Sequence, residues 1–161
     1  MKKIGFGGGC HWCTEAVFQS LTGVELVEQG WISSLPPYDA FSEAVIVHYN
    51  EHISMEVLIA VHLLTHSSAS RHSMRDKYRS AVYYFDRNDQ QLIEAIINRL
   101  ATEDNIRYIT QTLPFNDFKL NSERYLDYYK KGKEKPFCQT NISPKLRAIR
   151  EKFGQRVRSD F

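Results

Sequence analysis

Cys10 and Cys13 form a Cys-x-x-Cys step directly behind three glycines, in the run Gly7-Gly8-Gly9-Cys10-His11-Trp12-Cys13. Glycine lacks a Cβ, so such a run lets the backbone turn sharply and come close to a ligand. Residues 13–21 have the apolar spacing of a helix, which puts Cys10 at a helix N-terminus. Free amides and the helix dipole at that position favour the thiolate, the attacking form, and lower a cysteine pKa from about 8.5. The same stretch has other readings. A phosphate loop would want a lysine followed by Ser or Thr after the glycines, and neither is present. A structural turn would hold two inert buried cysteines. A metal knuckle on Cys10 and Cys13 needs a second ligand pair, but only Cys138 is left, and His48, His52, His62, His66 and His72 show no tight ligand pattern.

The rest of the composition narrows the setting for this sulfur. The chain has 161 residues, enough to bury a single core over 1–161 without disulfides or metals. Its 21 basic and 19 acidic residues leave a net charge of +2, too small and too dispersed to argue nucleic-acid binding. The densest basic run, Lys130-Lys131-Gly132-Lys133-Glu134-Lys135, reads as a solvated linker. The segment after Met1-Lys2-Lys3 is too short and glycine-rich for a signal peptide, and no stretch is apolar enough to span a bilayer. The expected compartment is the cytoplasm, where thiols stay reduced and three cysteines suggest catalysis or metal binding sooner than structural bridges.

The elements that must position these residues alternate along the chain. Strands are expected at 3–6, 24–33, 44–49, 80–85 and 107–113, and helices at 13–21, 55–64, 89–101, 122–130 and 144–153, with Cys138 in a polar, mobile loop between the last two. The order strand, helix, strand, strand, helix, strand predicts an α+β fold. The expected form is a ferredoxin-like β-α-β-β-α-β core sheet backed by helices, with a C-terminal helical and loop extension.

Gly8-Gly9-Cys10-His11-Trp12-Cys13-Thr14-Glu15-Ala16-Val17-Phe18 resembles the opening signature of the A-type peptide methionine sulfoxide reductases, Gly-Gly-Cys-Phe-Trp followed by a Glu-Ala-x-Phe helix. The resemblance continues through Leu21-Thr22-Gly23-Val24 and Gly30-Trp31, Pro37-Tyr38, Glu43-Ala44-Val45-Ile46-Val47, and Tyr78-Arg79-Ser80-Ala81-Val82-Tyr83-Tyr84. It reaches Pro136-Phe137-Cys138-Gln139 and Pro144-Lys145-Leu146, and so covers nearly the whole chain.

The resemblance implies reduction of methionine-(S)-sulfoxide, free or in oxidised proteins, with no metal or organic cofactor. By it, Cys10 attacks the sulfoxide sulfur and becomes a sulfenic acid, and Glu43 protonates the oxygen. Burial in the apolar run 43–47 would favour the proton-bearing form of that carboxyl. Tyr38 and Tyr78 would hydrogen-bond the oxygen, and Trp12 would wall the pocket for the substrate methyl group. Cys138 would resolve the sulfenic acid, with Cys13 as second choice, and thioredoxin or a similar reductant would reopen the disulfide. His11 stands where the family has phenylalanine: protonated it would favour the thiolate further, and neutral it would make the methyl pocket more polar. Only four residues separate Tyr38 from Glu43, where the family carries a longer insert, and Asp76 stands near the place of a family aspartate. Competing readings are a general thiol-disulfide oxidoreductase using Cys10 and Cys13, and a metal-binding or redox-sensing module.

Overall fold

The computed structural model describes residues 1–71 and 73–161; His72, weighed above as a metal ligand, lies outside the described residues. The chain runs β1 (Lys2–Gly7), α1 (His11–Gln19), β2 (Val24–Ser33), β3 (Ser42–Tyr49), α2 (Met55–Thr65), β4 (Ala81–Tyr84), α3 (Asp89–Asp104), β5 (Gln111–Pro114), β6 (Asp117–Leu120), α4 (Tyr128–Lys131) and α5 (Ser143–Phe153). These form an α+β fold around one mixed sheet in the order β5-β4-β1-β3-β2-β6. The central pairs are antiparallel, and β5 joins β4 in parallel after the crossover through α3.

Alternation along the strands divides the core between the two faces of the sheet. Ile4, Phe6, Val45, Val47 and Val82 face α1, α2, α3 and α5 in the larger cluster. Ala44, Ile46, Ala81 and Tyr83 face the other way, beneath loop residues that include Tyr38, Phe85 and Phe115. Glu43 has the parity of Val45 and therefore belongs to the face that carries α1.

Differences from the sequence reading have local causes. Strand β6 alternates Phe118 and Leu120 with Asp117 and Lys119, but it is a four-residue edge strand whose Leu120 is exposed, too short a pattern to announce a strand. The expected helix over 122–130 is instead a 3₁₀ turn (Glu123–Tyr125), an extended Leu126, and Asp127 in the left-handed region at φ 54° before α4 begins. Glu15 causes the break: its carboxylate accepts the backbone N–H groups of Asp127 (3.0 Å) and Tyr128 (3.3 Å), which a continuous helix would hold internally. The basic run beyond is not freely solvated, since Lys133 and Lys135 lie over the rings of Tyr129 and Tyr128.

Cys138 is not in a polar loop. It opens a π-helical turn (Cys138–Ile142) leading into α5 and is fully buried, because Cys138, Ile142, Leu146 and Ile149 all turn inward to the larger cluster.

Candidate active site

The site forms where β1 ends and β3 and β4 begin. The turn out of β1 is tightly specified. A Cβ on Gly7 would lie 3.0 Å from the Arg79 carbonyl and 3.1 Å from that of Glu43, while Gly8 has φ +148° and would place a Cβ 2.5 Å from the His66 ring. Partners the sequence did not announce hold this turn: His62 Nε2 donates to the Gly7 carbonyl (2.8 Å), and Arg75 donates to the carbonyls of Gly8 and Tyr78 (2.8 Å each). His62 and His66, which show no metal-ligand spacing, stack on one another against the glycines, and His66 Nε2 meets Ser80 Oγ at 2.8 Å. Burial holds both imidazoles in the neutral form, His62 well below its ordinary pKa and His66 down to about 4.

The turn delivers Cys10 to the N-cap of α1, where Thr14 donates to its carbonyl through both N–H and Oγ1 at 3.1 Å. The Cys10 thiol is pulled down to about 4. The neighbouring Cys13 thiol is the largest cause; burial opposes it, and the His11 side chain and the amides of Trp12 and Cys13 add to it. The same proximity, with burial, drives the Cys13 thiol upward, so this thiol keeps its proton beside the Cys10 thiolate. Cys138 lies behind Cys13, close enough to oppose its ionisation, and burial raises its own thiol too.

Glu43 meets this helix end from β3 and is 6% exposed. Its Oε1 accepts from the His11 backbone N–H at 3.2 Å and lies 3.1 Å from His11 Nδ1, which is not aligned for a hydrogen bond. Its Oε2 lies 3.5 Å from Lys77 Nζ. Lys77 in turn sits 5.1 Å from the centre of the Tyr78 ring; Tyr78 first and Glu43 second push its ammonium pKa up. Sequence reasoning missed Lys77, whose only signal was its place immediately before Tyr78.

Trp12 projects beside Cys10 into an aromatic stack. Its ring lies face to face with Tyr128 (4.3 Å, 8°) and Tyr125 (5.5 Å, 18°) and meets Phe137 edge-on at 5.4 Å. Tyr125 and Tyr128 come from the segment that Glu15 reshapes and Phe137 from just before the turn into α5, and sequence alone did not connect them to Trp12. Tyr38 stands apart: it packs against the smaller cluster on the opposite face and lines a groove with Arg75, Arg79 and Ser80. Asp76 is exposed in the 3₁₀ turn Ser73–Asp76. The structure therefore gathers Cys10, His11, Trp12, Cys13 and Glu43, brings Tyr78 near through Lys77, and buries Cys138 behind Cys13.

A thiol poised as thiolate, a second thiol against it that keeps its proton, and a buried carboxyl within reach define a thiol-based oxidoreductase centre. The family profile described as peptide methionine sulfoxide reductase matches residues 2–157. The peptide methionine sulfoxide reductase MsrA of Psychrobacter sp. (strain PRwf-1) is 33% identical to this chain, across 96% of it and 98% of the relative. Among solved structures, Mxr1 from Saccharomyces cerevisiae in reduced form superposes with a TM-score of 0.73 at 20% identity, covering 87% of this chain and 90% of that one. Mxr1 in complex with Trx2 gives a TM-score of 0.62 at 18% identity, covering 77% and 83%. The chain belongs to the peptide methionine sulfoxide reductase family, and its reaction is the reduction of methionine sulfoxide.

Proposed function

We propose that one domain spanning residues 1–161 repairs methionine-(S)-sulfoxide, free or in oxidised proteins, with Cys10 as nucleophile and Glu43 as acid. The observation that carries this reading is a Cys10 sulfur drawn down to about 4 at the same helix end that Glu43 Oε1 holds through the His11 N–H. The Cys10 thiolate forms a bond to the sulfoxide sulfur while the oxygen takes a proton from Glu43. The hydroxyl then transfers to the Cys10 sulfur as the substrate's sulfur–oxygen bond and the new Cys10–sulfur bond both break. This leaves Cys10 as a sulfenic acid, oxidised by two electrons, and the substrate as a thioether, reduced by two. A second thiol displaces the hydroxyl as water and closes a disulfide. Cys13 is the first resolving thiol in this reading because it lies against Cys10, and Cys138, buried behind Cys13, takes the disulfide onward.

Trp12, with Tyr125, Tyr128 and Phe137 around it, offers an aromatic wall for the substrate methyl group. Tyr78 serves the oxygen from the Lys77 side; Tyr38 takes no part, because it packs on the other face of the sheet. Thioredoxin is the proposed reductant, in keeping with the yeast relative solved with Trx2, and the proposed compartment is the cytoplasm. No helix among the described residues is long and apolar enough to cross a membrane. The finer fold description, a ferredoxin-like core over β1-α1-β2-β3-α2-β4, is supported by the central strand order β4-β1-β3-β2.

The test incubates reduced protein with racemic methionine sulfoxide and dithiothreitol. Wild type is expected to consume the S epimer and leave the R epimer, and Cys10→Ser is expected to consume neither. Turnover by Cys10→Ser would sink the reading. Mapping the disulfide after one turnover, with and without Cys13→Ser, separates the two resolving thiols. The contact of Cys13 with Cys10 also suits plain thiol-disulfide exchange; that chemistry needs no acid, so it alone would survive Glu43→Ala intact.

A further inference from the structure

His11 is 6% exposed, and its Nδ1 is buried without an aligned hydrogen bond, 3.1 Å from Glu43 Oε1. The Cys10 sulfur, a His11 ring nitrogen and a Glu43 oxygen lie within 4.8 Å of one another. A buried polar atom without a partner is costly, so its protonation state and direction matter. A chain of buried side chains reaching across the fold from Glu15 fixes both.

The Glu15 carboxylate and the Tyr125 carbonyl can only accept, so the Gln29 amide must turn its Nε2 to them, at 2.9 and 3.0 Å. Gln29 Oε1 therefore faces Asn121 and accepts from Asn121 Nδ2 at 2.7 Å. The Asn121 orientation is checked independently, because its Oδ1 accepts the Ser122 N–H at 2.8 Å. The second proton of Asn121 Nδ2 points at His11 Nε2, 3.5 Å away. A nitrogen that faces a donor must accept, so Nε2 is bare and the ring proton sits on Nδ1, the tautomer being assigned by this network.

We propose that His11 is a catalytic residue whose Nδ1–H, held in this tautomer by Glu15, Gln29 and Asn121, hydrogen-bonds the sulfoxide oxygen as it moves from the substrate to Cys10. The inference rests on the reaction given above and leaves its balance unchanged: the oxygen's proton comes from Glu43, and Nδ1–H donates without being transferred. Negative charge grows on that oxygen as the Cys10 sulfur attacks, and a fixed, buried donor stabilises the charge without reorganising. His11 thus takes a task the sequence reading gave to Tyr38, which packs on the opposite face. The same proton occupies the nitrogen that a cation bridging Cys10, His11 and Glu43 would need, so the trio in this form presents a donor to the oxygen and no third ligand to a metal. Asn121 is a positioning residue, acting through His11.

Two measurements test this. Nitrogen-15 NMR of ring-labelled protein is expected to show His11 protonated at Nδ1 and bare at Nε2 near neutral pH, and Asn121→Leu is expected to release that preference. In single turnovers with methionine sulfoxide, His11→Phe is expected to lower the rate of methionine formation about 10²-fold with little change in KM. His11→Asn, whose amide can donate from nearly the same place, is expected to recover most of it. A proton found on Nε2 in wild type would overturn the proposal. So would a His11→Phe enzyme at the wild-type rate, or one altered in KM alone, the mark of a simple pocket wall. Failure of the wild-type protein to turn over any sulfoxide would instead overturn the proposed function, and the NMR experiment would still judge the tautomer.

Discussion

At the scale of single residues, the site works by keeping two protons in different places. Cys10 gives its proton up because the Cys13 thiol beside it, then the nearby His11 ring and two amides of α1, lower its pKa against burial, and Cys13 keeps its own because the Cys10 charge is beside it. In the proposed reaction Glu43 supplies the proton that the oxygen takes. Glu43→Gln keeps an acceptor for the His11 N–H but has no acid to offer, so kcat should fall by roughly 10²- to 10⁴-fold. Steady-state assays with iodoacetamide alkylation of Cys10 as a control check this: alkylation should remain rapid, and an unchanged kcat would remove Glu43 from the acid's role. Sequence reading names Cys10, Glu43 and Trp12, which the structure brings to one helix end, because each carries its signal in its neighbours. It does not name Lys77 beside Glu43 or Asn121 beside His11, because those contacts join residues distant along the chain.

At the scale of elements, the segment between β6 and α4 shows a buried carboxylate overriding local propensity. Glu15 is 1% exposed, and burial raises its pKa against the pull of the N–H groups it accepts. Besides Asp127 and Tyr128 it holds Gln29, and through Gln29 and Asn121 it reaches His11. Glu15→Leu would leave those donors buried and unpaired, at a cost on the order of 3 kcal/mol given about 1–3 kcal/mol for each stranded group. Urea unfolding measures the loss. Loss of the wild-type His11 tautomer in the same variant would show that the network acts at a distance. An unaltered midpoint would mean that water or a shifted backbone replaces the carboxylate.

At the scale of the whole molecule, the helices on one face press two neutral imidazoles against the glycine turn. The unfolded chain protonates His62 and His66 near their ordinary pKa of about 6.5, whereas the folded chain resists, in the case of His66 down to about 4. Below about pH 6.5 the unfolded state therefore binds more protons, and stability falls with pH through the window from about 6.5 to 4. Above about pH 7 both states are neutral at these positions and no penalty applies. For His66 the loss near pH 5 is about 2 kcal/mol. Urea unfolding near pH 7.5 and about pH 5 should show it, and His66→Gln should flatten the difference by about that amount, since the carboxylates titrate alike in both proteins. An identical slope would mean that His66 is protonated in the folded state.

By itself the sequence determined the strongly patterned parts of this protein. The glycines before Cys10 require the turn, the β-branched run at 44–49 requires a buried strand, and the apolar stripe through Ile93, Ile96 and Ile97 requires α3, because each signal lies within a few residues of its effect. Tertiary structure decided what depends on contact across the chain. It set β6 on the edge, where four alternating residues are too few to mark a strand, buried Cys138, and placed Tyr38 on the far face of the sheet. It also fixed the His11 proton through Glu15, Gln29 and Asn121, side chains spread over 110 positions of sequence, from His11 to Asn121. Hydrogen-bond direction is a property of which acceptor meets which donor in space, and no spacing along the chain encodes it.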